Sequence, residues 1–275
     1  MRRSRVKRGA IYIGAIAVVL FTLMPYVLTI FTSLQREVDL TSRPPFPFKS
    51  VTFTLDSYTY ILSYEPFATG FLHSAAVAVM TTAFVLLAGS LGAYAIARIR
   101  FPGRNFLFNL IVIVYMLPAL AMLIPIVVSL KILGILDTFI GMMFAHSIIL
   151  LPLMTWFLTG IFESVPGDID EACRIDGYSR LKSLFKMVIP LTKLGFLMIL
   201  VFSFINSWND LMFANTVGIV KIKLLQPRIL EFMSGARVLY TQMAAAGILS
   251  SLPVIALSIA LQKQIVKGIM RGAVK

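Results

Sequence analysis

Six stretches of this chain run for about 20 residues or more almost without charge, which confines what it can fold into. They cover about Ala10–Thr32, Phe67–Ala97, Phe106–Leu130, Thr138–Phe162, Leu194–Val217 and Val238–Leu261. Crossing a hydrocarbon core of about 30 Å takes about 20 apolar residues in a helix, which satisfies its own backbone polar groups. Period-two alternation is absent, which argues against a membrane β-barrel. At 59% hydrophobic, with a mean hydropathy of +0.89, the chain is far more apolar than a soluble domain. The expected fold class is all-α integral membrane, with six transmembrane helices. The second stretch is long enough to tilt or to project beyond the bilayer.

The net charge of +13 invites a nucleic-acid reading, but its distribution is a topology signal. Seventeen of the 25 positive residues fall before the first span, around Arg98–Arg104, in the segment after the fourth span, and in the C-terminal tail. Eight fall in the alternate loops. The positive-inside rule then puts both termini and the 163–193 segment in the cytoplasm, with the lipid bilayer and not nucleic acid as the partner. The basic N-terminus followed by an apolar run imitates a signal peptide. The run is too long for one, so a retained first span is expected. The single cysteine, Cys173, allows no internal disulfide and reads as a packing residue.

Between the fourth and fifth apolar stretches lies a polar, amphipathic segment, Glu171 to Leu191. Asp168 is placed to cap a short helix, with Glu171 at capping-box spacing. Gly177 is placed to end that helix in a left-handed conformation. Ser179 can cap a second helix, in which Leu181, Leu184, Phe185 and Val188 form one apolar stripe. Pro190 is expected to break that helix before the next apolar run. Such a hairpin can dock onto a soluble partner or lie on the lipid surface.

Glu171, Ala172, Asp176, Gly177 and Pro190 stand in the spacing of the EAA loop, and the segment resembles that loop of the permease subunits of bacterial ABC importers. It departs from the pattern at Cys173, Tyr178, Leu184 and Met187. The resemblance extends over essentially the whole chain. Leu133–Thr138 looks like a short external turn of the sugar-type branch, Ser207–Ala214 like its fifth span, and Gln262–Lys275 like its C-terminal signature. It is closest to the smaller permease of maltose-type carbohydrate importers.

The resemblance implies one transmembrane domain over 1–275, with an external loop at 33–66, a cytoplasmic coupling-helix hairpin at 163–193 and an external loop at 218–237. It implies a second homologous permease subunit, two ATP-binding cassette subunits carrying ATP and Mg, and an extracytoplasmic solute-binding protein. The location implied is the bacterial inner membrane. In this reading Glu171, Ala172, Asp176, Gly177, Leu181, Leu184, Phe185 and Pro190 couple to the ATPase. Gln226, Arg228, Ser234 and Gly235 would meet the binding protein, unless that loop is merely solvated.

The chain offers no chemistry of its own. No Gly-Lys dipeptide exists to build a phosphate-binding loop, so no ATPase site and no bound cofactor are expected. His73 and His146 lie on different spans with no neighbouring carboxylate in sequence. They read as helix-packing groups, and no metal site is expected. Asp210 is the one acidic residue inside a span. With Asn206 and Asn209 it either lines a solute path or pairs and caps near the interface. Trp208 either stacks on a sugar or anchors at the interface. The small-residue tract Ala88–Ala93 lets helices approach closely. Pro118, Pro125, Pro152 and Pro253 can kink their spans.

Three rival functions compete with this reading. An ion-coupled secondary transporter would need intramembrane charges or a broken-helix ion site, for which the sequence has little material. A non-transporting receptor or scaffold leaves the hairpin without a purpose. An ABC importer for another solute, such as a glycerol phosphodiester, a polyol or a peptide, stays open.

Overall fold

The computed structural model describes residues 2–41, 52–233 and 238–272, and every regular element among them is helical. In chain order, α1 (Arg2–Ser33), α2 (Glu37–Thr41), α3 (Asp56–Ser63) and α4 (Glu65–Arg98) come first. Next come α5 (Arg104–Met116), α6 (Ala119–Ile132) and α7 (Phe139–Glu163). The hairpin holds α8 (Gly167–Ile175), α9 (Arg180–Ser183), a π-helical turn at Leu184–Val188 and α10 (Ile189–Leu191). The chain finishes with α11 (Lys193–Asn209), α12 (Met212–Val217), α13 (Leu225–Leu230) and α14 (Tyr240–Gly272).

Among the described residues, four helices are each long and apolar enough to cross a membrane, and the number rises to six if each sharply bent pair counts as one span. One bent pair is the third apolar stretch. It is not a straight span, because α5 and α6 meet at 101°. Pro118 causes the break. Its ring drives Leu117 out of the helical region to ψ 133°, and its missing N–H leaves the ladder open. The fifth stretch is interrupted too, at Asp210, where the backbone is extended between α11 and α12. Pro125, Pro152 and Pro253 stay inside their helices. The segments expected as plain loops at 33–66 and 218–237 carry α2 and α3, and α13 with a 3-10 turn at Glu231–Met233.

Backbone contacts group the chain into two units, one of residues 69–227 and 253–275, the other of 1–68 and 228–252. In the first unit α7 is the common wall of two apolar clusters. Toward its C-terminal end Met154, Leu158 and Phe162 pack with Val85 of α4, with Ile199 of α11, and with Leu184 and Val188 of the hairpin. Toward its N-terminal end Met142 and Ala145 pack with Ile126 and Leu130 of α6 and with Phe213 and Val217 of α12. The Ala88–Ala93 tract serves close packing as its composition predicts. A Cβ at Gly89 would lie 3.5 Å from Leu158, and one at Gly92 3.5 Å from Thr155, so α4 and α7 touch nearly backbone to side chain there.

In the second unit, the carboxylate of Glu37 accepts from the backbone N–H of Tyr240 and Thr241 at 3.2 and 2.9 Å, capping the start of α14. Tyr60, Tyr64 and Phe232 form an aromatic cluster with ring centroids 5.8–6.5 Å apart. Ser33 and Tyr58 share a 2.7 Å hydrogen bond. Residues 11–28 of α1 are exposed throughout within this single chain.

Candidate functional site

The hairpin forms as a turn-linked pair, with its details set by Pro166, Gly177 and Pro190. Pro166 is extended at ψ 138°, and α8 starts at Gly167 directly after it. Asp168 therefore lies inside the first turn and is not the N-cap, so the expected capping box with Glu171 does not form. Its charge still favours the positive helix start. Gly177 ends the helix as expected, at φ +77°, where a side chain would be strained. The N–H of Tyr178 bonds the carbonyl of Cys173 at 2.8 Å and that of Gly177 bonds Arg174 at 3.1 Å, which closes the turn. Ser179 caps the next helix, its hydroxyl accepting from Lys182 N at 3.3 Å.

Pro190 acts upstream of itself. Having no N–H for the carbonyl four residues before it, it is preceded by the widened π turn at Leu184–Val188, in which Ile189 N bonds the carbonyl of Leu184. The chain then bends by 89° at Thr192, two residues after Pro190. The wide turn splits the predicted stripe. Leu184 and Val188 are fully buried in the chain's own core, whereas Leu181 and Phe185 are 57% and 47% exposed. Glu171, Ala172, Asp176, Gly177 and Pro190 are also exposed. Ile175, at 86%, stands out beside them. Cys173 is buried, as a packing residue.

Three side chains strap α8 to the helices. Arg98, the last residue of α4, places its Nε 3.1 Å from Asp170 Oδ2. Its Nη2 donates to the carbonyl of Phe162 at 2.6 Å and also to that of Val165, both at the end of α7. The Tyr94 hydroxyl donates to Asp170 Oδ1 at 3.0 Å. Beyond this, Arg104 and Glu163 pair at 3.1 Å. A carboxylate and a guanidinium so little exposed, 16% and 11%, hold each other strongly, because neither can return to water without unpacking the joint.

At the α11–α12 interruption, Asp210 Oδ1 accepts from the backbone N–H of Phe213 and Ala214 at 2.9 and 3.0 Å, capping α12. The same oxygen is 3.2 Å from Nε2 of His146, whose Nδ1 hydrogen-bonds Ser207 Oγ at 2.7 Å. Of the two expectations for Asp210, the geometry is that of pairing and capping. The adjoining cavity, lined by Asn206 and Asp210 among others, has a volume of about 100 Å³. That suits a few waters and falls well below the size of ligand pockets. Asn206 and Asn209 are exposed, and Asn206 also donates to the carbonyl of Phe202. Trp208 neither anchors nor faces a solute. It is 1% exposed, stacked on Phe204 and edge-on to Phe71.

In the 133–138 turn a carboxylate is clasped by backbone groups. Asp137, at φ +58°, receives four consecutive backbone N–H groups. Ile219 and Ile222 donate to Oδ1, both at 3.1 Å, and Val220 and Lys221 donate to Oδ2 at 3.1 and 2.8 Å. Burial of this carboxyl acts to raise its pKa, but the four N–H donors outweigh it and hold the group below its ordinary 3.8. Gly218 makes the loop possible, since a Cβ there would lie 2.1 Å from the carbonyl oxygen of Ile222. Two more tethers follow. His73 Nδ1 bonds Lys223 O at 3.2 Å, and Ser74 Oγ accepts from Leu225 N at 2.8 Å. Gln226 and Arg228 lie on α13, where Arg228 pairs with Glu231 at 3.1 Å. Ser234 and Gly235 lie outside the described residues.

Against known proteins, the model of the family described as binding-protein-dependent transport system inner membrane component matches residues 85–271. The chain belongs to that family. It is 29% identical over 265 residues to the sulfoquinovosyl glycerol transport system permease protein of Agrobacterium fabrum, covering 96% of this chain and 93% of that one. It is also 29% identical over 280 residues to the trehalose/maltose transport system permease protein of Thermococcus litoralis, covering 100% and 99%. Among solved structures it superposes on a chain of a bacterial ABC transporter involved in the import of the acidic polysaccharide alginate. The TM-score is 0.78 at 21% identity, covering 96% of this chain and 98% of that one, which is a likeness of fold.

In this ABC importer permease, sequence reasoning missed the side chains that lash its segments together. Arg98 and Asp170 are 72 positions apart, and the signal available was an arginine closing a long apolar helix. His146 and Asp210 had no signal, since neither neighbours the other in sequence. Asp137 was visible as a lone acid in an apolar turn, but its partners are backbone groups that no letter records.

Proposed function

We propose that this permease carries a sugar or oligosaccharide across the inner membrane as one half of a translocation path, with a second homologous permease subunit forming the other half. The two relatives named above take sulfoquinovosyl glycerol and trehalose or maltose by name, which supports a carbohydrate cargo. A solute-binding protein delivers it from outside. Two ATP-binding cassette subunits hydrolyse ATP with Mg inside, and this chain is a transport subunit with no hydrolytic role. Both termini and the hairpin are cytoplasmic in this reading. The hairpin docks on an ATPase subunit through Glu171, Ala172, Asp176, Gly177, Leu181, Phe185 and Pro190. What supports docking is their shared exposure on an element otherwise strapped to the core. Leu184 contributes from behind, by seating the hairpin. Asn206, Asn209 and Asp210 are the residues proposed to face the solute path, Asp210 while also capping α12. Gln226 and Arg228, with Ser234 and Gly235, face the binding protein.

The test is reconstitution of the complex in vesicles, reading ATPase activity stimulated by the binding protein together with uptake of labelled trehalose, maltose and a longer oligosaccharide. Hydrolysis that ignores the binding protein rejects the importer reading. Normal stimulated hydrolysis and uptake in both Glu171→Ala and Gly177→Val would falsify docking and return the hairpin to the lipid surface. Cysteine labelling should find position 50 external and position 180 internal. An external position 180 rejects the orientation.

A further inference from the structure

We propose that Asp137 is the positioning residue of the loop through which this permease meets its binding protein. The inference rests on the importer reading and adds to it the side chain that sets the loop. The argument starts from where the backbone donors point. Four successive N–H groups, from Ile219 to Ile222, converge on one carboxylate. A chain that turns its donors inward in this way forms a concave nest around an anion. The side chains of the same residues must then be thrown outward. Ile219 is 50% and Val220 76% exposed, and Lys221 is exposed beside them. Ile222, the last donor, folds back into the core at 6%. The loop is therefore a short outward knob of two apolar residues and one cation, standing on the half-buried carboxylate of Asp137.

An unanchored knob of this kind would be costly to order on binding. Each rotamer-rich or backbone-free element fixed at an interface subtracts from affinity. Here the ordering is done in advance by charge-assisted hydrogen bonds, which are about twice as strong as neutral ones. Gly218 admits the tight return to Ile222, and the His73 and Ser74 bonds to Lys223 and Leu225 fix the path into α13. The anchor acts through the backbone and leaves the knob's side chains exposed. The partner that fits is a protein lobe with an apolar contact ringed by acidic groups, and the family's dependence on a binding protein supplies one.

The experiment uses the assembled transporter in vesicles with its binding protein. Amide hydrogen exchange is read over 219–222, and ATPase activity is titrated against binding-protein concentration. Asp137→Gly keeps the left-handed turn and removes the carboxylate. Asp137→Asn keeps the turn preference and one acceptor oxygen. With Asp137→Gly, exchange over 219–222 is expected to rise at least about tenfold. The half-saturating binding-protein concentration is expected to rise about fivefold or more, with the maximal stimulated rate within about twofold. Asp137→Asn is expected to fall between that variant and the wild type on both readouts. Unchanged exchange overturns the proposal, because the loop is then held by something else. Faster exchange with an unchanged half-saturating concentration also overturns it, because loop position is then irrelevant to docking. A fall in maximal rate alone, at unchanged half-saturation, assigns Asp137 a purely structural role and overturns it too. Failure of the importer reading looks different: the wild type itself then shows no stimulation.

Discussion

Asp170 and Asp137 do the same job at two places in one unit, each tying a polar segment to the helices, but they do it with different partners. Asp170 is held by the Arg98 guanidinium and the Tyr94 hydroxyl. Asp137 is held by four backbone N–H groups and, among the described residues, no side chain. The charge layout explains the choice. Arginines gather around Arg98–Arg104 and the hairpin, on the side we propose to be cytoplasmic, so a carboxylate there finds a cation. The loops we propose to be external hold fewer: Glu231 still pairs with Arg228, but Glu37, Asp137 and Asp210 each take backbone donors, Glu37 adding the Thr241 hydroxyl and Asp210 lying beside His146 as well. The difference has a practical meaning. A side-chain strap fixes the identity of both partners. A backbone strap fixes only the acid, leaving residues 219–221 free to be whatever the other surface requires.

The largest effect should come from breaking the side-chain strap. Asp170→Ala leaves Arg98 largely buried without its partner, at a cost of about 3 kcal/mol. The detergent-solubilised complex should melt lower, and Arg98→Ala added to Asp170→Ala should cost less than the sum of the two single changes. Additive losses would show that the two residues do not act as a pair. Gly177→Val comes next, at about 1–2 kcal/mol for forcing a branched residue to φ +77°. Its signature should be lost coupling, read as stimulated ATPase, with membrane insertion intact.

At Asp210 the comparison can be sharpened within one residue. Asp210→Ala should cost about 1 kcal/mol through the lost cap on α12, while Asp210→Asn, still a good cap, should lose only a few tenths. Equal losses would assign the energy to His146 instead. Smaller still, exchanging Ile219 and Val220 for other apolar residues should change thermal stability by no more than about 0.5 kcal/mol. The smallest expected effect is in pH. A carboxyl whose folded pKa lies below its unfolded value contributes stability above the unfolded value, and loses it only as pH falls through the folded one. Because Asp137 is held below 3.8, hydrogen-exchange protection of 219–222, corrected for intrinsic rates, should be flat from neutral pH down to 3.8. Loss of protection well above that would contradict the clamp.

Much of the architecture was legible because apolar length and turn chemistry are local. The six stretches, the Gly177 turn, the Ser179 cap and the Ala88–Ala93 packing tract all follow from neighbouring letters. What escaped was set by distant or backbone partners. Asp168 has the spacing of a cap, yet Pro166 fixed the helix start one residue before it. The Leu181–Val188 stripe has helical period, yet the wide turn ahead of Pro190 sent Leu184 and Val188 inward and left Leu181 and Phe185 outside. Pro118 was visible as a kink, but a 101° bend needs the packing of Ile126 and Leu130 against other helices to hold it. In the candidate site, the hairpin residues stand in a readable spacing and share exposure, and their coupling role is what the reconstitution tests. Asp137 and Asp170 were not, because one binds peptide groups and the other a residue 72 positions away.

The α5–α6 bend also carries an order of assembly. With 13 and 14 residues, the two helices are each about 20 Å long, too short to cross about 30 Å of hydrocarbon alone. As the chain is made, 104–132 must enter the bilayer as one unit. The contacts that hold α6 in its bent position come from Met142 and Ala145, and from Phe213 and Val217, all synthesised later. The break at Pro118 is local, but its angle is held only once α7 and α12 have arrived, and a chain truncated before Met142 should keep the break and lose the fixed angle.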